Sequence, residues 1–251
     1  NFASDEFPMY DEFKPNDKCV LNIEMIEAMK SAILCSCKDE FRYEMTGVHI
    51  DKTSIVGTDG YRMFEYVSET PLLEKGITLP LSLSTLMVRL ITDSCKVETD
   101  GNSIKVSTTG LTIVGKLVNE KFPNYKSVYP AQDSLTLSVK MKHEDIQNSL
   151  KTVMLASEEI THKVVMEIRE KSVKLLTSNP EKGLEADDEI ECEVTGLKSD
   201  LMVVGFNAKY FNDFINTIKG DVIMKNSGTP TKAFLYCEGN SRSLVMPVKV
   251  N

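Results

Sequence analysis

The chain has 251 residues, of which 41% are hydrophobic and 26% are charged, so it is long enough for one large domain or two ordinary ones. Its net charge of −8 excludes a protein that coats nucleic acid by bulk attraction, although it leaves room for a small basic surface. No apolar run reaches the length of a membrane span, and the N-terminal sequence NFASDEFPMYDEF lacks the order of a signal peptide, so a cytoplasmic protein is expected.

The six cysteines, at positions 19, 35, 37, 95, 192 and 237, show no Cys-x-x-Cys spacing. Only Cys35 and Cys37 lie close in sequence, and two residues that are two apart on a helix point in different directions. The cysteines are therefore predicted to be buried, reduced thiols, and no metal or other cofactor is expected.

The first 17 residues mix acids, aromatics and two prolines without a period, which predicts a connector over residues 1–17. The strand CVLNI leads into a helix over residues 22–37, and its apolar side is predicted to hold Ile23, Ile26, Ile33 and Leu34. Four strands follow, with the sequences YEMTGVHI, TSIVGT, YRMFEYV and GITLPL.

A second helix and then three more strands complete the first half of the chain. Its predicted apolar stripe consists of Leu83, Leu86, Met87, Leu90 and Ile91. The strands CKVETD, SIKVST and LTIVGKLV come next, and the pairs Asp100-Gly101 and Thr109-Gly110 between them are ordinary hairpin signals.

The same order starts again after the proline-bounded segment FPNYKSVYP, residues 122–130. SLTLSVK is a strand, residues 142–157 form a helix, and VVMEIR, SVKLLTS, EIECEVTG and LMVVGF are strands. A fourth helix over residues 208–219 precedes DVIMK, KAFLYCE and SRSLVMPVKV. Such a long period predicts two similar domains, at residues 18–130 and 131–251.

Few helices and many strands in each half predict an α+β fold, with the helices packed together on one side of antiparallel sheets. If the two domains lie side by side in the same orientation, their sheets can join edge to edge. Their helices then form one common layer that lines a concave inner face, and the sheets lie outside.

Four segments in this order resemble one known family: TDGYRM, KLVNEKFPNYKSVYP, VGFNAKY and SLVMPVKV. They are similar to the bacterial DNA polymerase III beta subunit, the replicative sliding clamp. The resemblance covers residues 6–250 and the family's second and third domains, and DEFPMYDEF is similar to the connector that follows the first domain. It implies that the family's N-terminal domain is absent here, because it was cut away, is not resolved, or is missing from an unusual short clamp.

The resemblance implies a DNA clamp fold and a ring that encircles double-stranded DNA without reading its sequence. Such a ring is a replication processivity factor and a non-catalytic subunit of the DNA polymerase III complex, acting in the cytoplasm at the replisome. The implied partners are the polymerase III alpha subunit, the clamp loader and other proteins with a clamp-binding motif. Ring closure in the family joins the third domain of one protomer to the first domain of the next. The full-length form is therefore expected to be a homodimeric ring, and this chain a monomer or weak oligomer.

A modest set of basic residues on the helical layer would be enough to screen the DNA in such a ring. The candidates for the DNA channel lie on or just after the helices and are Lys30, Lys38, Arg42, Tyr43, Arg89, Lys151 and Lys209. The alternative for each is an ordinary solvated surface residue.

The resemblance also implies a pocket, near the junction of the two domains, for a short peptide that carries a glutamine and apolar residues. Carried over by motif, its residues are Met45, Thr58, Gly60, Tyr61, Arg62, Met63, Pro123, Ser127, Val128, Asn207, Tyr210, Leu244, Val245, Met246, Pro247, Val248 and Lys249. Tyr61 stands where the family often has histidine, and Ser127 where it often has a basic residue. Without the resemblance, SLVMPVKV is typical of an edge strand in which Pro247 interrupts the hydrogen bonding.

Two other classes of function remain open. An enzyme is disfavoured because His49, His143 and His162 have no metal-ligand spacing and no phosphate loop or nucleophile elbow occurs; no catalytic or metal site is predicted. The acids Glu185, Asp187, Asp188 and Glu189 are predicted to form a solvated loop. The second class is a peptide-binding scaffold, or a short phage or plasmid clamp that does not close as the usual dimeric ring.

Overall fold

A computed structural model describes residues 13–218 and 220–250, so most of the predicted connector 1–17 lies outside the described residues. Its helices are α1 (Ile23–Cys35), α2 (Leu81–Leu90), α3 (His143–Met154) and α4 (Ala208–Ile215). The strands of the first half are β1 (Asp17–Leu21), β2 (Gly47–Ile50), β3 (Ser54–Thr58), β4 (Arg62–Val67), β5 (Ile77–Pro80), β6 (Cys95–Thr99), β7 (Ser103–Ser107) and β8 (Thr112–Lys116). Those of the second half are β9 (Leu137–Met141), β10 (Lys163–Ile168), β11 (Ser172–Asn179), β12 (Leu184–Thr195), β13 (Met202–Asn207), β14 (Val222–Asn226), β15 (Phe234–Glu238) and β16 (Ser241–Val245).

The strands form two antiparallel sheets. The smaller has the order β1-β6-β7-β8, and the larger has twelve strands in the order β13-β10-β11-β12-β9-β14-β15-β16-β4-β3-β2-β5. Each half has its own hydrophobic core, one around α1 and α2 and the other around α3 and α4. The predicted α+β class with antiparallel sheets is confirmed. The exact domain boundaries stay a prediction, which the two separate cores support.

The halves meet where β4 pairs with β16, so strands of both halves join edge to edge, as predicted, within the twelve-stranded sheet. Arg62 lies directly opposite Val245 in this ladder, and directly opposed residues project from the same face of a sheet. On that face Arg62 contacts both the end of α1 and a side chain of α4. Helices of both halves therefore cover one face of the joined sheet.

Helix α1 buries only part of the side that was predicted, since Ile26 is buried and Ile33 packs against the core but the other two predicted residues do not. Ile23 and Leu34 are 45% and 43% exposed, whereas Met25, Met29 and Ala32 are buried. The reason is close packing: a Cβ added to Gly57 of β3 would lie 1.9 Å from the carbonyl oxygen of Ala32. Small residues at this point of contact let the helix backbone approach the sheet more closely than isoleucine or leucine would there.

Helix α2 follows its predicted stripe only in part. Leu83, Met87 and Ile91 are buried, but Leu86 and Leu90 are 40% and 48% exposed. The predicted strand YEMTGVHI also differs, because Glu40–Met45 form a 3-10 helix and the strand begins at Gly47. The hydrophobic pattern of both segments is local. Packing partners that are distant in sequence decide which of their apolar residues become buried.

The acidic run at residues 185–189 was wrongly predicted to be a loop, since it lies in β12. Residues 184–191 of this strand pair along one side with β11, which satisfies their backbone hydrogen bonds there. Glu185, Asp187 and Glu189 project into solvent, and Asp187 forms an ion pair of 2.8 Å with Lys174. Hydrated outward carboxylates are compatible with a strand and are typical of sheet edges.

The cysteines also differ from the expectation of uniform burial. Cys19, Cys37 and Cys95 are buried, but Cys237 is exposed, and the remaining two are half-buried. Burial raises the pKa of Cys95 to about 11, which keeps this thiol protonated at neutral pH.

Candidate functional site

The turn between β3 and β4 presents an exposed tyrosine. The Asp59 carboxylate accepts hydrogen bonds from the backbone N–H groups of Tyr61 and Arg62, at 2.9 and 3.0 Å. Gly60 has a φ of +85°, a conformation that glycine adopts without strain. Thr58 is buried and closes the turn by donating its hydroxyl to the carbonyl of Arg62 at 2.7 Å. The turn thereby holds Tyr61, which is 54% exposed, just before the start of β4.

The segment after β16 runs from this turn to the edge of β13. Met246 donates its N–H to the carbonyl of Tyr61 at 2.8 Å, and Val248 donates to the carbonyl of Gly205 at 2.8 Å. Pro247 lies between these two anchored residues and has no N–H to satisfy. The segment is therefore fixed at both ends, and Met246 and Val248 each stay 38% exposed.

A groove of about 470 Å³ lies between this segment, the β3–β4 turn and the start of α4. It is lined by Tyr61, Ile160, Thr161, Lys163, Asn207, Tyr210, Met246, Pro247, Val248 and Lys249. Seven of the predicted peptide-binding residues thus come together although they come from three distant parts of the chain. An open groove with exposed aromatic and aliphatic walls and a few polar groups suits an extended apolar peptide.

Three groove residues were missed by the sequence prediction: Ile160, Thr161 and Lys163. Ile160 is 90% exposed in the loop before β10, so it belongs to no periodic pattern that could have indicated it. Asn207 fixes this loop, because its amide nitrogen donates to the carbonyl of Thr161 at 3.2 Å. Its amide oxygen caps α4 by accepting from the N–H groups of Lys209 and Tyr210.

Several predicted peptide-binding residues lie behind the groove and do not line it. Met63, Leu244 and Val245 are 2% to 4% exposed, and Met45 is also buried. The Arg62 side chain is 10% exposed and points to the helices. Because successive strand residues face opposite sides, Arg62 and Met63 cannot both face one peptide. These residues do not line the groove, so their part in peptide binding stays a prediction.

The connecting segment with Pro123, Ser127 and Val128 covers the other face of the joined sheet. Its Phe122 and Tyr125 pack against Met63 and Leu244, and the Tyr125 hydroxyl donates to Asp51 at 2.9 Å. Val128 is 53% exposed, and Ser127 donates to the carbonyl of Asn124 at 2.7 Å. None of the three predicted residues of this segment is among those that line the groove.

One of the residues that pack against the connecting segment is a histidine with a lowered pKa. His49 stacks on Phe122 with ring centroids 4.3 Å apart, and its Nδ1 lies 3.0 Å from the Thr78 hydroxyl. Burial lowers the pKa of His49 to about 4, against a smaller opposing effect of the nearby Asp51 carboxylate. Burial alone would raise the pKa of Asp51, but hydrogen bonds from the Thr53 backbone, Lys126 and Tyr125 lower it.

Each helix carries one exposed basic residue from the predicted DNA channel. These are Lys30 on α1, Arg89 on α2, Lys151 on α3 and Lys209 on α4. Lys30 pairs with Glu27 of its own helix at 2.5 Å. Lys38 and Tyr43 are exposed after α1, whereas Arg42 donates to the carbonyl of Asp59 at 2.6 Å and lies 5.5 Å from the centre of the Tyr61 ring. Arg42 therefore belongs structurally to the turn beside the groove.

Within residues 13–218 and 220–250, no group of three or more histidine, cysteine or acidic side chains is arranged to hold a metal ion. In the same part of the chain, no helix is both long and apolar enough to cross a membrane.

Comparison with known proteins shows which proteins the chain is similar to. Residues 126–248 match the family described as DNA polymerase III beta subunit, C-terminal domain. The chain is 25% identical over 231 residues to the beta sliding clamp of Buchnera aphidicola, covering 87% of this chain and 61% of that protein. It is 22% identical over 262 residues to that of Chlamydia muridarum, covering 100% and 70% respectively. The chain thus spans 61% to 70% of the length of these relatives.

Solved structures show the same fold. The DNA polymerase III subunit beta of Pseudomonas aeruginosa matches with a TM-score of 0.89 at 19% identity, over 99% of this chain and 70% of that one. A sliding clamp from Bartonella birtlesii bound to griselimycin matches with a TM-score of 0.87 at 20% identity, over 98% and 70%. The predicted resemblance and the clamp fold are confirmed.

Proposed function

Because the chain is a homologue of the beta sliding clamps, a non-catalytic family, we propose that it acts in DNA replication as part of a processivity clamp. In this role it captures short peptides that carry a glutamine and apolar residues, from the DNA polymerase III alpha subunit, the clamp loader and other clamp-binding proteins. The ring that contains it encircles duplex DNA at the cytoplasmic replisome.

The observation that carries the proposal is the groove at the junction of the halves. Its apolar side chains are exposed but their backbone is fixed: Tyr61 by the Asp59 turn, and Met246 and Val248 by hydrogen bonds at both ends of their segment. A fixed, exposed apolar surface loses little conformational entropy when a ligand binds. The groove is thus prepared for a ligand that supplies apolar side chains.

Titration with a short glutamine-and-leucine clamp-binding peptide tests the groove directly. A Tyr61→Ala, Met246→Ala double variant is expected to bind at least about tenfold more weakly, because it removes two exposed apolar anchors. The test avoids Arg62, since its buried side chain does not line the groove.

Val114→Ala is the matched control, because Val114 is also 38% exposed but lies on β8 of the smaller sheet. This variant is expected to bind the peptide as the wild type does. Equal affinity of the wild type and the double variant would remove the groove from the proposed function.

A further inference from the structure

Arg62 is held by groups from three separate elements. Its Nε donates to Asp59 Oδ2 at 3.1 Å, its Nη1 to Asp213 Oδ2 at 2.8 Å, and its Nη2 to the carbonyl of Leu34 at 2.6 Å. The guanidinium carbon also lies 4.2 Å from the centre of the Tyr210 ring. One buried side chain thus contacts the β3–β4 turn, the end of α1 and one side of α4.

These contacts join the two halves of the molecule. The Leu34 carbonyl belongs to the last turn of α1, where carbonyl groups lack a partner within the helix and a cation is favoured. Asp213 and Tyr210 belong to α4 of the second half. The planar guanidinium can reach these groups together because its donors have a fixed fork geometry, which a lysine cannot reproduce.

Tyr210 separates Arg62 from the groove. Its ring lines the groove together with Tyr61 and Met246, and it also lines a small cavity of about 10 Å³ with Arg62, Asp213 and the end of α1. Arg62 and Asp213 line only the second of these spaces. The cation therefore supports the Tyr210 ring from the side opposite the groove.

We infer that Arg62 and Asp213 are positioning residues, which hold the Tyr210 ring as a wall of the peptide groove and tie that wall to α1 of the other half. The inference rests on the proposed peptide-binding function of the groove. It predicts that peptide affinity depends on two side chains that lie outside the groove lining.

The charge of Arg62 does not vary near neutral pH. Burial alone would lower the pKa of Arg62, but the hydrogen bond to Asp213 and the neighbouring acids raise it. A change of pH near neutrality would therefore not remove the charge of Arg62, and mutation is needed to disturb its contact with Asp213. Two conservative substitutions are suitable. Asp213→Asn keeps the size of the side chain but removes its charge, and Arg62→Lys keeps the charge but removes the fork.

The first measurement is the affinity for the same glutamine-and-leucine peptide. Asp213→Asn and Arg62→Lys are each expected to weaken binding about tenfold, the effect of losing one charge-assisted hydrogen bond. Glu144→Gln is the matched control, because it makes the same acid-to-amide change at an exposed position on α3 and is expected to leave affinity unchanged. Thermal melting of each variant verifies that it is folded at the temperature of the titration.

A double-mutant cycle separates positioning from a general loss of structure. If Asp213 acts through the Tyr210 ring, Asp213→Asn is expected to have almost no further effect on affinity in a Tyr210→Ala background. The same tenfold loss in both backgrounds would overturn the inference.

A second readout works without any peptide. The ring signals of Tyr210, observed by NMR in tyrosine-labelled protein, are expected to shift in Asp213→Asn and Arg62→Lys but not in Glu144→Gln. A wild type that fails to bind peptide contradicts the proposed function, whereas unchanged Tyr210 signals contradict the positioning role. The two failures are thus distinguishable.

Discussion

At the scale of single residues, the direction of a side chain decides its role. Along β4, Arg62 and Phe64 face the helices, whereas Met63 packs beneath the connecting segment. Glu65, on the same face as Met63, accepts a hydrogen bond from Ser54 at 2.8 Å. Neighbouring residues of one motif therefore have different functions, because the strand alternates.

His49 gives a prediction at this scale, for stability against pH. Its pKa is about 4 in the folded protein and 6.5 as the unperturbed value, so between these values the unfolded chain binds more protons. Stability is therefore fully present above pH 6.5 and is lost as the pH falls towards 4. The expected loss between pH 7 and pH 4.5 is about 2–3 kcal/mol, at 1.36 kcal/mol per unit of pKa shift.

Urea unfolding of the wild type and of His49→Gln at both pH values measures this loss. The variant is expected to lose about 2 kcal/mol less stability than the wild type on acidification, because glutamine does not titrate. The same loss in both proteins would show that other groups cause the acid sensitivity.

At the scale of the elements, close backbone approach sets the packing. Helix α1 lies on β3 where Gly57 meets Ala32, and this contact turns Met25 and Met29 into the core while Ile23 stays exposed. The hydrophobic pattern of α1 predicted this face only in part: it included Ile26 but missed Ala32, because a pattern gives alanine less weight than isoleucine although the smaller residue allows tighter packing.

Gly57→Ala is expected to destabilise the protein by about 3 kcal/mol, through overpacking. The new Cβ would lie 1.9 Å from the carbonyl oxygen of Ala32, and a backbone atom cannot move aside by changing a rotamer. Thermal or denaturant unfolding measures the change. Gly110→Ala is the matched control, because no atom lies within 4 Å of its added Cβ. Equal stability of the two variants would contradict the close packing of α1 on β3.

At the scale of the whole molecule, the net charge of the chain and the charges of the predicted DNA channel have opposite signs. The chain has a net charge of −8, yet each helix carries one of the exposed basic residues of the predicted channel. Attraction to phosphate from so few charges is weak and falls with salt. A clamp of this kind would be retained on DNA mainly by its closed ring, with the helical face screening the duplex.

Loading of the protein, in the complete form that its gene encodes, by a clamp loader onto primed circular DNA tests this prediction. The clamp is expected to remain on closed circles and to leave when the DNA is linearised. Arg89→Glu with Lys151→Glu is expected to lower the amount loaded several-fold, because it reverses two charges of the predicted DNA channel. Lys18→Glu with Lys96→Glu, on the outer face of the smaller sheet, is the control and is expected to load normally. Release from closed circles as fast as from linear DNA would favour a peptide-binding scaffold.

The sequence by itself determined the order of strands and helices, the repeat, and the turns at Asp59-Gly60 and Asp100-Gly101. These features depend on alternation, helical period and turn chemistry, which act between residues close in sequence. The four family segments also indicated the clamp fold and most of the groove.

Only the tertiary structure decided which of these residues are exposed in the groove and which support it from behind. Arg62 meets Asp213 across 151 positions, and Ile160 enters the groove from a loop without any periodic pattern. The acidic strand β12 likewise depends on its pairing with β11. Such contacts are set by the packing of distant elements, so local sequence chemistry could not predict them.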